Sequence, residues 1–274
     1  MNGDLEPERG RGARLAPSAP ERGGETPSLT LVIPAFQEAA RIGETARSAA
    51  AYLAAQPFQA DLIVVDDGCR DGTAREARKA LLDARIPWRV LEMPHGGKAA
   101  ALRAGMSAAA GDLVAFSDAD LATPLRHLDD LRAAIGAGCD IAIGSREESG
   151  ALRHGEPEYR HLMGRGFNLL VRALLLPGLH DTQCGFKLFR RETIRDVLAH
   201  ARLYRDAGEI AGARVTAFDV ELLAVGRARG WRICAVPVDW TYGEASKVHP
   251  VRDSWHNARD VFAVWINQKR GRYR

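Results

Sequence analysis

Features that would place a protein across a membrane or on nucleic acid are absent from this 274-residue sequence. No apolar run approaches the roughly 20 residues that span a bilayer, because Arg172, Pro177 and Gly178 interrupt the longest one, Leu169–Leu179. Residues 1–27 lack the apolar core of a signal peptide. A formal net charge of +3 is too small to indicate a nucleic-acid partner. We therefore expect a cytoplasmic protein, either soluble or peripheral on the cytoplasmic membrane face.

Cysteine is scarce as well. The four cysteines, Cys69, Cys139, Cys184 and Cys234, are scattered, with no CxxC spacing and no His-rich segment beside them. This spacing argues against structural zinc, and a chain of this length does not need disulfides to stabilise its core. We therefore expect neither a zinc site nor a disulfide framework, and a reducing compartment.

The two ends of the chain differ in composition from the part between them. Residues 1–28 are rich in Gly, Pro, Glu and Arg, which predicts a disordered N-terminal tail. Residues 29–250 are predicted to form one domain, and residues 251–274 an amphipathic helix with the basic segment Lys269–Arg274. That basic segment is either a solvated end or a site of attraction to anionic lipid headgroups.

From Leu29 onward, short apolar segments alternate with longer segments rich in Ala, Arg and Leu. Such alternation predicts an α/β domain with a mostly parallel central sheet flanked by helices. The first predicted strands are Leu29–Ile33, Leu62–Val65, Trp88–Glu92, Asp112–Ser117 and Cys139–Ile143, and the helices between them are Ala39–Ala55, Thr73–Ala84, Lys98–Ala110 and Pro124–Ala137. Further predictions are a mobile loop over Ser145–Tyr159, helices at His161–Leu176, Glu192–His200, Phe218–Arg229 and Asp253–Gln268, and a strand within Trp231–Trp240.

Two acidic pairs stand directly after predicted strands. Asp66-Asp67 follows Leu62–Val65, and Asp118-Ala119-Asp120 follows Leu113–Phe116. Ligands of open α/β sheets bind at the carboxyl ends of the strands, where these pairs are placed. Carboxylates in Asp-x-Asp spacing suit a hard divalent cation, which in turn holds a diphosphate. The combination predicts a sugar nucleotide as ligand, because its diphosphate is both the partner of the metal and the leaving group.

Three segments have both a functional and a structural interpretation. At the end of the first strand, Glu38 either accepts hydrogen bonds from a ribose or base, or starts a helix as an acid favoured by the dipole. The segment His95–Lys98 suits an anion through its glycine amides and the lysine charge, and is equally typical of a plain strand-to-helix turn. Asp66 and Asp67 are partners either of a nucleotide base or of the tight turn that follows them.

At these motifs the sequence resembles the family 2 glycosyltransferases of GT-A type. The similarity covers about residues 29–248, and its second half resembles the dolichyl-phosphate β-glucosyltransferases in particular. The motifs that carry it are Val32–Ala35, Val65–Gly68, Gly96–Lys98, Asp118–Asp120, Gly144–Arg146, Asp181–Phe189 and Ala217–Leu223. The string Asp181–Phe189, DTQCGFKLF, is specific, whereas the first-half motifs are shared with many sugar transferases. The resemblance implies a Rossmann-like GT-A domain.

The resemblance also implies roles for the residues that match its motifs. Asp219, Arg146 and Gln183 are the implied catalytic residues, with Arg146 facing a phosphate. Asp118 and Asp120 are implied to bind Mg²⁺ or Mn²⁺ and, through it, the diphosphate. The residues implied in substrate binding are Pro34, Glu38, Asp66 and Asp67 at the nucleoside, Lys98 near it, Asp118 at the diphosphate, Arg160 or Arg165 at a phosphate, Glu221 (with Gln183 and Asp219) beside the sugar and acceptor, and Lys247 in a closing loop.

The implied reaction is an inverting transfer of a hexose, glucose by the branch resemblance, from a donor such as UDP-glucose to a polyprenyl or dolichyl phosphate. A phosphate acceptor is already anionic, whereas a hydroxyl acceptor needs a general base, for which Asp219 is the first choice. The alternatives are a soluble hydroxyl- or phosphate-bearing acceptor, a nucleotidyltransferase and a non-catalytic sugar-nucleotide binder. The polar insert Arg202–Arg214 and the residues Val215–Ala217 depart from the branch, which leaves the acceptor more open than the donor.

A lipid acceptor requires a surface that meets the membrane. Two predicted helices contain apolar residues that form either an interfacial surface or the core-facing sides of amphipathic helices. These residues are Leu169, Leu170, Leu174, Leu175, Leu176, Trp255, Phe262 and Trp265.

Overall fold

The structure is a computed structural model that describes residues 26–205, 210, 216–243 and 250–274. Within these residues the strands are β1 Leu29–Ala35, β2 Ala60–Asp67, β3 Trp88–Met93, β4 Leu113–Ser117, β5 Ile141–Ser145, β6 Leu152–His154, β7 Phe186–Arg190, β8 Ile233–Pro237 and β9 Asp239–Thr241. The helices are α1 Ala39–Ala54, α2 Thr73–Leu81, α3 Lys98–Ala108, α4 His127–Gly136, α5 Glu158–Leu174, α6 Arg191–His200, α7 Phe218–Ala228 and α8 Pro250–Lys269.

Some predictions fall on other parts of the chain. Residues 1–25 of the predicted tail, residues 206–209 and 211–214 of the polar insert, and Lys247 lie outside the described residues. Ser28, at the end of the predicted tail, donates hydrogen bonds from its amide (3.2 Å) and its hydroxyl (2.8 Å) to the carboxylate of Asp112. This residue is therefore part of the folded domain.

Seven strands form the central sheet in the order β3-β2-β1-β4-β7-β5-β8. β7 runs antiparallel to its neighbours β4 and β5, and the other neighbouring strands are parallel. β6 and β9 pair in a separate two-stranded sheet. The predicted α/β architecture, a mostly parallel sheet flanked by helices, is confirmed.

The central strands are buried on both faces, which explains their continuous apolar sequences. Successive residues alternate between two core clusters on opposite faces of the sheet: Leu31 and Ile33 belong to one and Val32 to the other. Helices α1, α2 and α4 pack on the first face, and α3, α5, α6, α7 and α8 on the second. A Cβ atom at Gly105 would lie 2.4 Å from Cγ1 of Val32. Helix α3 therefore lies directly on the sheet, and its first residue, Lys98, is held at the sheet edge.

Three short strands differ from the sequence prediction. β7 begins inside the DTQCGFKLF motif and ends one residue after it. No strand is predicted there, because the buried Lys187 interrupts the apolar pattern of a buried strand. β6 lies inside Ser145–Tyr159, which is predicted as a mobile loop, and β9 ends the segment predicted as one strand. β6 and β9 pair with each other across more than 80 residues, a contact that neither segment shows by itself.

Helices α5 and α8 pack against each other and expose apolar side chains. Of the eight residues predicted there, those in the core or packed against it are Leu170, Leu174, Leu175, Leu176 and Trp265, and the exposed ones are Leu169, Trp255 and Phe262. The core-facing interpretation is thus right for the first five residues, and contact of the three exposed ones with a membrane stays a prediction. None of the helices in the described part of the chain has the length and hydropathy of a membrane span.

Cys139 and Cys234 form a disulfide, with their Cα atoms 6.1 Å apart. The expectation that disulfides are absent is wrong. β5 and β8 are neighbours in the sheet, with Ala142 opposite Cys234, and this pairing brings together two cysteines that are 95 residues apart. Sequence spacing contains no signal of such a contact. Cys69 and Cys184 are free.

Serine in place of Cys139 is expected to lower the free energy of unfolding by about 2–4 kcal/mol, because the bridge restricts the unfolded chain over a long loop. Urea unfolding in non-reducing buffer measures the difference. The variant Cys69→Ser is the matched control, because serine keeps an acceptor for the amide of Gln37, which Sγ of Cys69 accepts at 3.1 Å. Reduction should bring the wild type to the level of the variant. Four free thiols in unreduced, unfolded protein would contradict the bridge.

Candidate active site

The carboxyl ends of β1, β2 and β4 meet at one edge of the sheet. β1 lies between β2 and β4, with Ala35 opposite Asp66 and Val32 opposite Phe116. The chain proceeds from β1 outward to β2 and β3, and then returns to the other side of β1 as β4. Ligand sites of open α/β sheets lie at such a switch point. The two acidic pairs therefore flank the place where a ligand is expected.

Asp67 is a buried carboxylate that holds the turn before α3. Its oxygens accept hydrogen bonds from the amides of Gly96 (2.8 Å) and Gly97 (2.9 Å), and Nδ1 of His95 lies 2.8 Å from Oδ2. Burial raises the pKa of Asp67, and these hydrogen bonds act in the opposite direction. The glycine amides that the sequence assigns to an anionic ligand thus bind a carboxylate of the protein itself. With 1% of its surface exposed, Asp67 stabilises this turn.

Asp66 closes the neighbouring turn. Its Oδ1 accepts a hydrogen bond from the amide of Cys69 at 2.8 Å, and the side chain is buried. Gly68 has a φ of +68°, and a Cβ atom there would lie 2.6 Å from the amide nitrogen of His95. Phe36 stacks on the same histidine, with the ring centroids 3.9 Å apart. Both turns therefore pack tightly together, as the turn-forming interpretation of Asp66 and Asp67 predicts, and contact of these residues with a nucleoside stays a prediction.

Pro34 and Glu38 lie beside these turns. Pro34 is buried near the end of β1, opposite Val65. Glu38 precedes α1; its amide donates to Oγ1 of Thr73 at 2.9 Å, and its carboxylate lies 2.8 Å from Nε of Arg41. The helix-starting interpretation of Glu38 agrees with this geometry. Contact of either residue with a nucleoside stays a prediction.

Asp118 is paired with Lys98 at the edge of the sheet. Nζ of Lys98 lies 2.5 Å from Oδ1 of Asp118, and both side chains are partly exposed. The other carboxylate oxygen lies against Gly185, where an added Cβ atom would be 2.0 Å from Oδ2 of Asp118. The carbonyl of Gly185 also accepts a hydrogen bond from the amide of Asp118 at 3.2 Å. Gly185 thus packs against this carboxylate, most closely at Oδ2, while Oδ1 contacts the Lys98 ammonium.

Asp120 completes the Asp-x-Asp pair. It is exposed, and its Oδ1 accepts a hydrogen bond from the amide of Ala122 at 3.1 Å. Leu121, which lies between Asp120 and Ala122, has a φ of +48°. This conformation turns the chain sharply after the strand. A small pocket beside the pair is lined by Ser117, Asp118, Ala122, Thr123, Gly185 and Trp240.

Asp219 and Lys187 form a second, more deeply buried pair. Lys187 is completely buried; its Nζ donates to the carbonyl of Cys184 at 2.5 Å and lies 3.7 Å from Oδ2 of Asp219. Asp219 is 8% exposed, and among the described residues its Oδ1 has no hydrogen-bond partner. Burial acts to lower the pKa of Lys98, but Asp118 and Asp219 outweigh it and raise that pKa above its usual value. Lys98 is therefore within electrostatic reach of both carboxylates.

Arg146 is bound to a buried carboxylate. Its Nε and Nη2 lie 2.7 Å and 2.9 Å from the two oxygens of Asp181, which also accepts the amide of Arg146 at 3.0 Å. The guanidinium stands 5.1 Å from the ring centroid of Trp240. Burial acts to raise the pKa of Asp181, but Arg146 outweighs it and lowers that pKa to about 2. One edge of Arg146 is thus committed to the protein, and its predicted contact with a phosphate stays a prediction.

Glu221 is turned into the interior of the protein, and its predicted contact with the sugar or acceptor stays a prediction. It is completely buried, and its oxygens accept hydrogen bonds from the amides of Arg202 (2.9 Å) and Leu203 (2.8 Å) and from the hydroxyl of Tyr273 (2.8 Å). Burial raises its pKa. Residues two apart on a helix point to different sides, so Glu221 faces away from the side on which Asp219 lies.

The remaining predicted site residues are described only by their position and burial. Gln183 is partly buried between Asp181 and Gly185. Arg165 is exposed on α5, and Arg160 lies in the first turn of the same helix. Their roles toward sugar or phosphate stay predictions. Residues that sequence reasoning leaves without a role, Asp181, Gly185 and Lys187, all lie in the DTQCGFKLF string. The signal in the sequence that could have identified them is the presence of ionisable side chains and a glycine within an otherwise apolar segment.

Comparisons with known proteins agree with this arrangement. A profile of the glycosyl transferase family 2 matches residues 30–198. The glycosyltransferase AglD of Haloferax volcanii is 32% identical over 93% of this chain and 39% of its own length. The dolichyl-phosphate β-glucosyltransferase of Drosophila melanogaster is 33% identical over 91% of this chain and 78% of its own length. This chain thus spans well under half of AglD.

Solved structures show the same fold. The crystal structure of glucosyl-3-phosphoglycerate synthase from Mycobacterium tuberculosis, in complex with Mn²⁺, UDP and glucosyl-3-phosphoglycerate, matches with a TM-score of 0.61 and 21% identity, over 88% of this chain and 80% of that one. Mannosyl-3-phosphoglycerate synthase from Rubrobacter xylanophilus matches with a TM-score of 0.60 and 17% identity, over 90% and 76% of the two chains. The predicted GT-A-type fold is confirmed. Because the family profile covers more than half of the sequence, the chain belongs to the glycosyl transferase family 2.

Proposed function

We propose that the protein transfers glucose, with inversion, from UDP-glucose to a polyprenyl phosphate, and that Mg²⁺ or Mn²⁺ assists. The observation that carries this proposal is the Asp118–Asp120 pair at the switch point of the sheet, with Lys98 against it. The donor and the acceptor are taken from the similarity to dolichyl-phosphate β-glucosyltransferases, which extends over most of the chain.

The residues at this edge fit a divalent cation. Oδ1 of Asp118 already carries a cation in the form of the Lys98 ammonium, and Asp120 offers an exposed carboxylate beside it. Among the described residues no third His, Cys, Asp or Glu joins them. Two carboxylates with substrate phosphates and water are the coordination that Mg²⁺ prefers. When bound, such a metal supplies Lewis-acid stabilisation of the departing diphosphate.

The charges of the protein suit a phosphate acceptor. A polyprenyl phosphate is anionic near neutral pH, so its attack needs positioning and charge compensation rather than a strong base. Lys98 provides a positive charge at the diphosphate end. Asp219, the candidate base, lies 3.7 Å from the buried ammonium of Lys187, so its negative charge already has a partner in the protein.

An exposed apolar surface supports a lipid acceptor. On α5, Leu162 is 72% exposed and Leu169 is 60% exposed, and on α8, Trp255 is 73% exposed. The exposed apolar residues of these two helices are Tyr159, Leu162, Met163, Leu169, Trp255, Phe262 and Ile266. Exposed basic residues follow at the C-terminal end, namely Lys269, Arg270, Arg272 and Arg274. Apolar side chains with flanking positive charges are typical of surfaces that lie on anionic membranes.

Transfer from radiolabelled UDP-glucose tests the proposal. With Mn²⁺ and anionic vesicles that contain polyprenyl phosphate, we expect label in the organic extract. The double variant Leu162→Glu/Leu169→Glu should lower this transfer by at least about tenfold, because each leucine loses its burial in the lipid. Vesicle sedimentation should fall in parallel, while UDP-glucose binding stays unchanged.

The matched control is Leu82→Glu, because Leu82 is 71% exposed at the end of α2. It should leave transfer and sedimentation at wild-type levels. If the double variant transfers glucose to polyprenyl phosphate at the wild-type rate, these leucines do not form a membrane-binding surface. If the wild type transfers no label to the lipid, polyprenyl phosphate is not the acceptor.

A second candidate function is transfer to a hydroxyl of a soluble, phosphate-bearing acceptor. The observation in its favour is Oδ1 of Asp219, which has no hydrogen-bond partner among the described residues. 3-Phosphoglycerate in place of the vesicles is the test. Labelled product that disappears in Asp219→Asn would support this candidate, and absence of product would exclude that acceptor.

A further inference from the structure

We propose that Lys98 is a movable counter-ion, which occupies the metal position at Asp118 in the free protein and transfers to Asp219 when the metal binds. This inference rests on the proposed function, since it assumes that Asp118 and Asp120 hold a divalent cation. It assigns to Lys98 a role in metal affinity and to Asp219 a role as its second partner.

The contact between Lys98 and Asp118 makes the first half of the argument. Nζ of Lys98 lies 2.5 Å from Oδ1 of Asp118. Gly185 packs more closely against Oδ2 than against Oδ1, since an added Cβ atom would lie 2.0 Å from Oδ2 and 2.9 Å from Oδ1. A divalent cation that approaches the less crowded oxygen of this carboxylate therefore meets Oδ1, the oxygen that the ammonium holds. Two cations at one carboxylate oxygen repel each other strongly, so Lys98 has to leave.

Asp219 offers the place to which Lys98 moves. Its carboxylate is buried, and Oδ1 has no hydrogen-bond partner among the described residues, which is a costly state for a buried acceptor. Lys187 does not satisfy this oxygen, because its ammonium donates to the carbonyl of Cys184 and lies 3.7 Å from Oδ2. The charge of Asp219 is one of the causes that raise the pKa of Lys98. Movement of one flexible side chain thus pairs an unsatisfied carboxylate and opens Asp118 in the same step.

Mn²⁺ binding to the nucleotide-free protein tests the first half. We expect Lys98→Met to bind Mn²⁺ at least about tenfold more tightly than the wild type, because the competing ammonium is gone. Electron paramagnetic resonance of free Mn²⁺ measures the affinity. Lys79→Met is the matched control: Lys79 is exposed on α2, and its loss should change the affinity by less than about twofold.

A double-variant cycle tests the second half. Asp219→Asn should weaken Mn²⁺ binding by about tenfold when Lys98 is present, since Lys98 then has nowhere to go. In the Lys98→Met background the same change should have an effect of about twofold or less. Additive effects would mean that Asp219 acts on the metal only through space, and would overturn the transfer.

A second measurement keeps the inference testable if Asp219→Asn does not fold. In a crystal structure with Mn²⁺ and UDP, Nζ of Lys98 should lie within about 3.5 Å of Oδ1 of Asp219. An ammonium that stays on Asp118 beside the metal overturns the inference. Measurable Mn²⁺ binding by the wild type without tightening in Lys98→Met overturns it as well, and leaves the proposed function intact. Absence of Mn²⁺ binding in every variant would overturn both.

Discussion

Asparagine at position 118 is expected to lower kcat/KM for sugar transfer by about a thousandfold. The change keeps the shape of the side chain, and with it the packing against Gly185, but removes the negative charge that meets a cation at Oδ1. Loss of one carboxylate from a metal–diphosphate site costs about 4 kcal/mol of transition-state stabilisation, which corresponds to about three orders of magnitude. Steady-state assays with UDP-glucose and Mn²⁺ measure the effect.

Asp120→Asn should act in the same direction, and chelation of divalent cations should abolish turnover of the wild type. Asp83→Asn is the matched control, because Asp83 is exposed beyond α2 and remote from the switch point. Thermal unfolding should change little in Asp118→Asn, because the Asp118–Lys98 pair is partly exposed and contributes little to stability. Full turnover of Asp118→Asn, or of the wild type in the presence of chelator, would refute the metal-assisted reaction.

The position of the site could be predicted from sequence because it depends on local patterns. Apolar segments that alternate with helical ones predict the parallel sheet, and polar residues at strand ends predict its ligand edge. Asp118 and Asp120 lie where this reasoning puts them. The same reasoning does not show whether Asp66 and Asp67 bind a ligand or stabilise a turn, because their partners are determined by the tertiary fold. The amides that bind Asp67 come from residues 29 and 30 positions later in the chain.

At Glu221 the role implied by the family resemblance disagrees with the helix periodicity, and this disagreement is visible in the sequence alone. Residues 218–229 are predicted as a helix, and residues two apart on a helix point about 200° apart. Asp219 and Glu221 therefore point to different sides of this helix. The structure agrees with the periodicity, since Glu221 accepts hydrogen bonds from backbone amides and Tyr273 in the interior.

Contacts between distant segments account for what remained unpredicted. The antiparallel strand β7, the pair β6 and β9, and the disulfide Cys139–Cys234 all depend on neighbours far away in sequence. A buried lysine in β7 also removes the usual signal of an interior strand. Lys187 is tolerated there because the carbonyl of Cys184 and the carboxylate of Asp219 compensate its charge.

The two carboxylate–ammonium pairs, Asp118–Lys98 and Asp219–Lys187, relate the choice of acceptor to metal binding. If Lys98 pairs with Asp219 when the metal is bound, the otherwise unpartnered Oδ1 of Asp219 is occupied by an ammonium group. That oxygen then cannot also accept a hydrogen bond from an acceptor hydroxyl, whereas a phosphate acceptor needs no such partner. The transfer of Lys98 and the lipid-phosphate acceptor therefore support each other, and 3-phosphoglycerate as a good acceptor would count against both.

Alanine at position 185 is expected to lower kcat/KM by about a hundredfold or more, although the residue itself carries no functional group. The added Cβ atom would lie 2.0 Å from Oδ2 of Asp118, so the carboxylate must rotate or the chain must shift. Displacement of a metal-binding group by about 1 Å is sufficient for a loss of this size. Gly185 is not among the glycines with positive φ, so the effect comes from the contact with Asp118 and not from the backbone conformation. Mn²⁺ affinity should fall together with kcat/KM.

Gly136→Ala is the matched control for this variant. Gly136 ends α4, has no positive φ, and an added Cβ atom there meets nothing within 4 Å. It should retain wild-type activity and gain slightly in helix stability. Gly185→Ala, in contrast, should unfold about 1–3 kcal/mol more easily because of overpacking, and should remain inactive well below its melting temperature. Normal Mn²⁺ binding and turnover in folded Gly185→Ala would mean that Asp118 does not need to stand where Gly185 holds it.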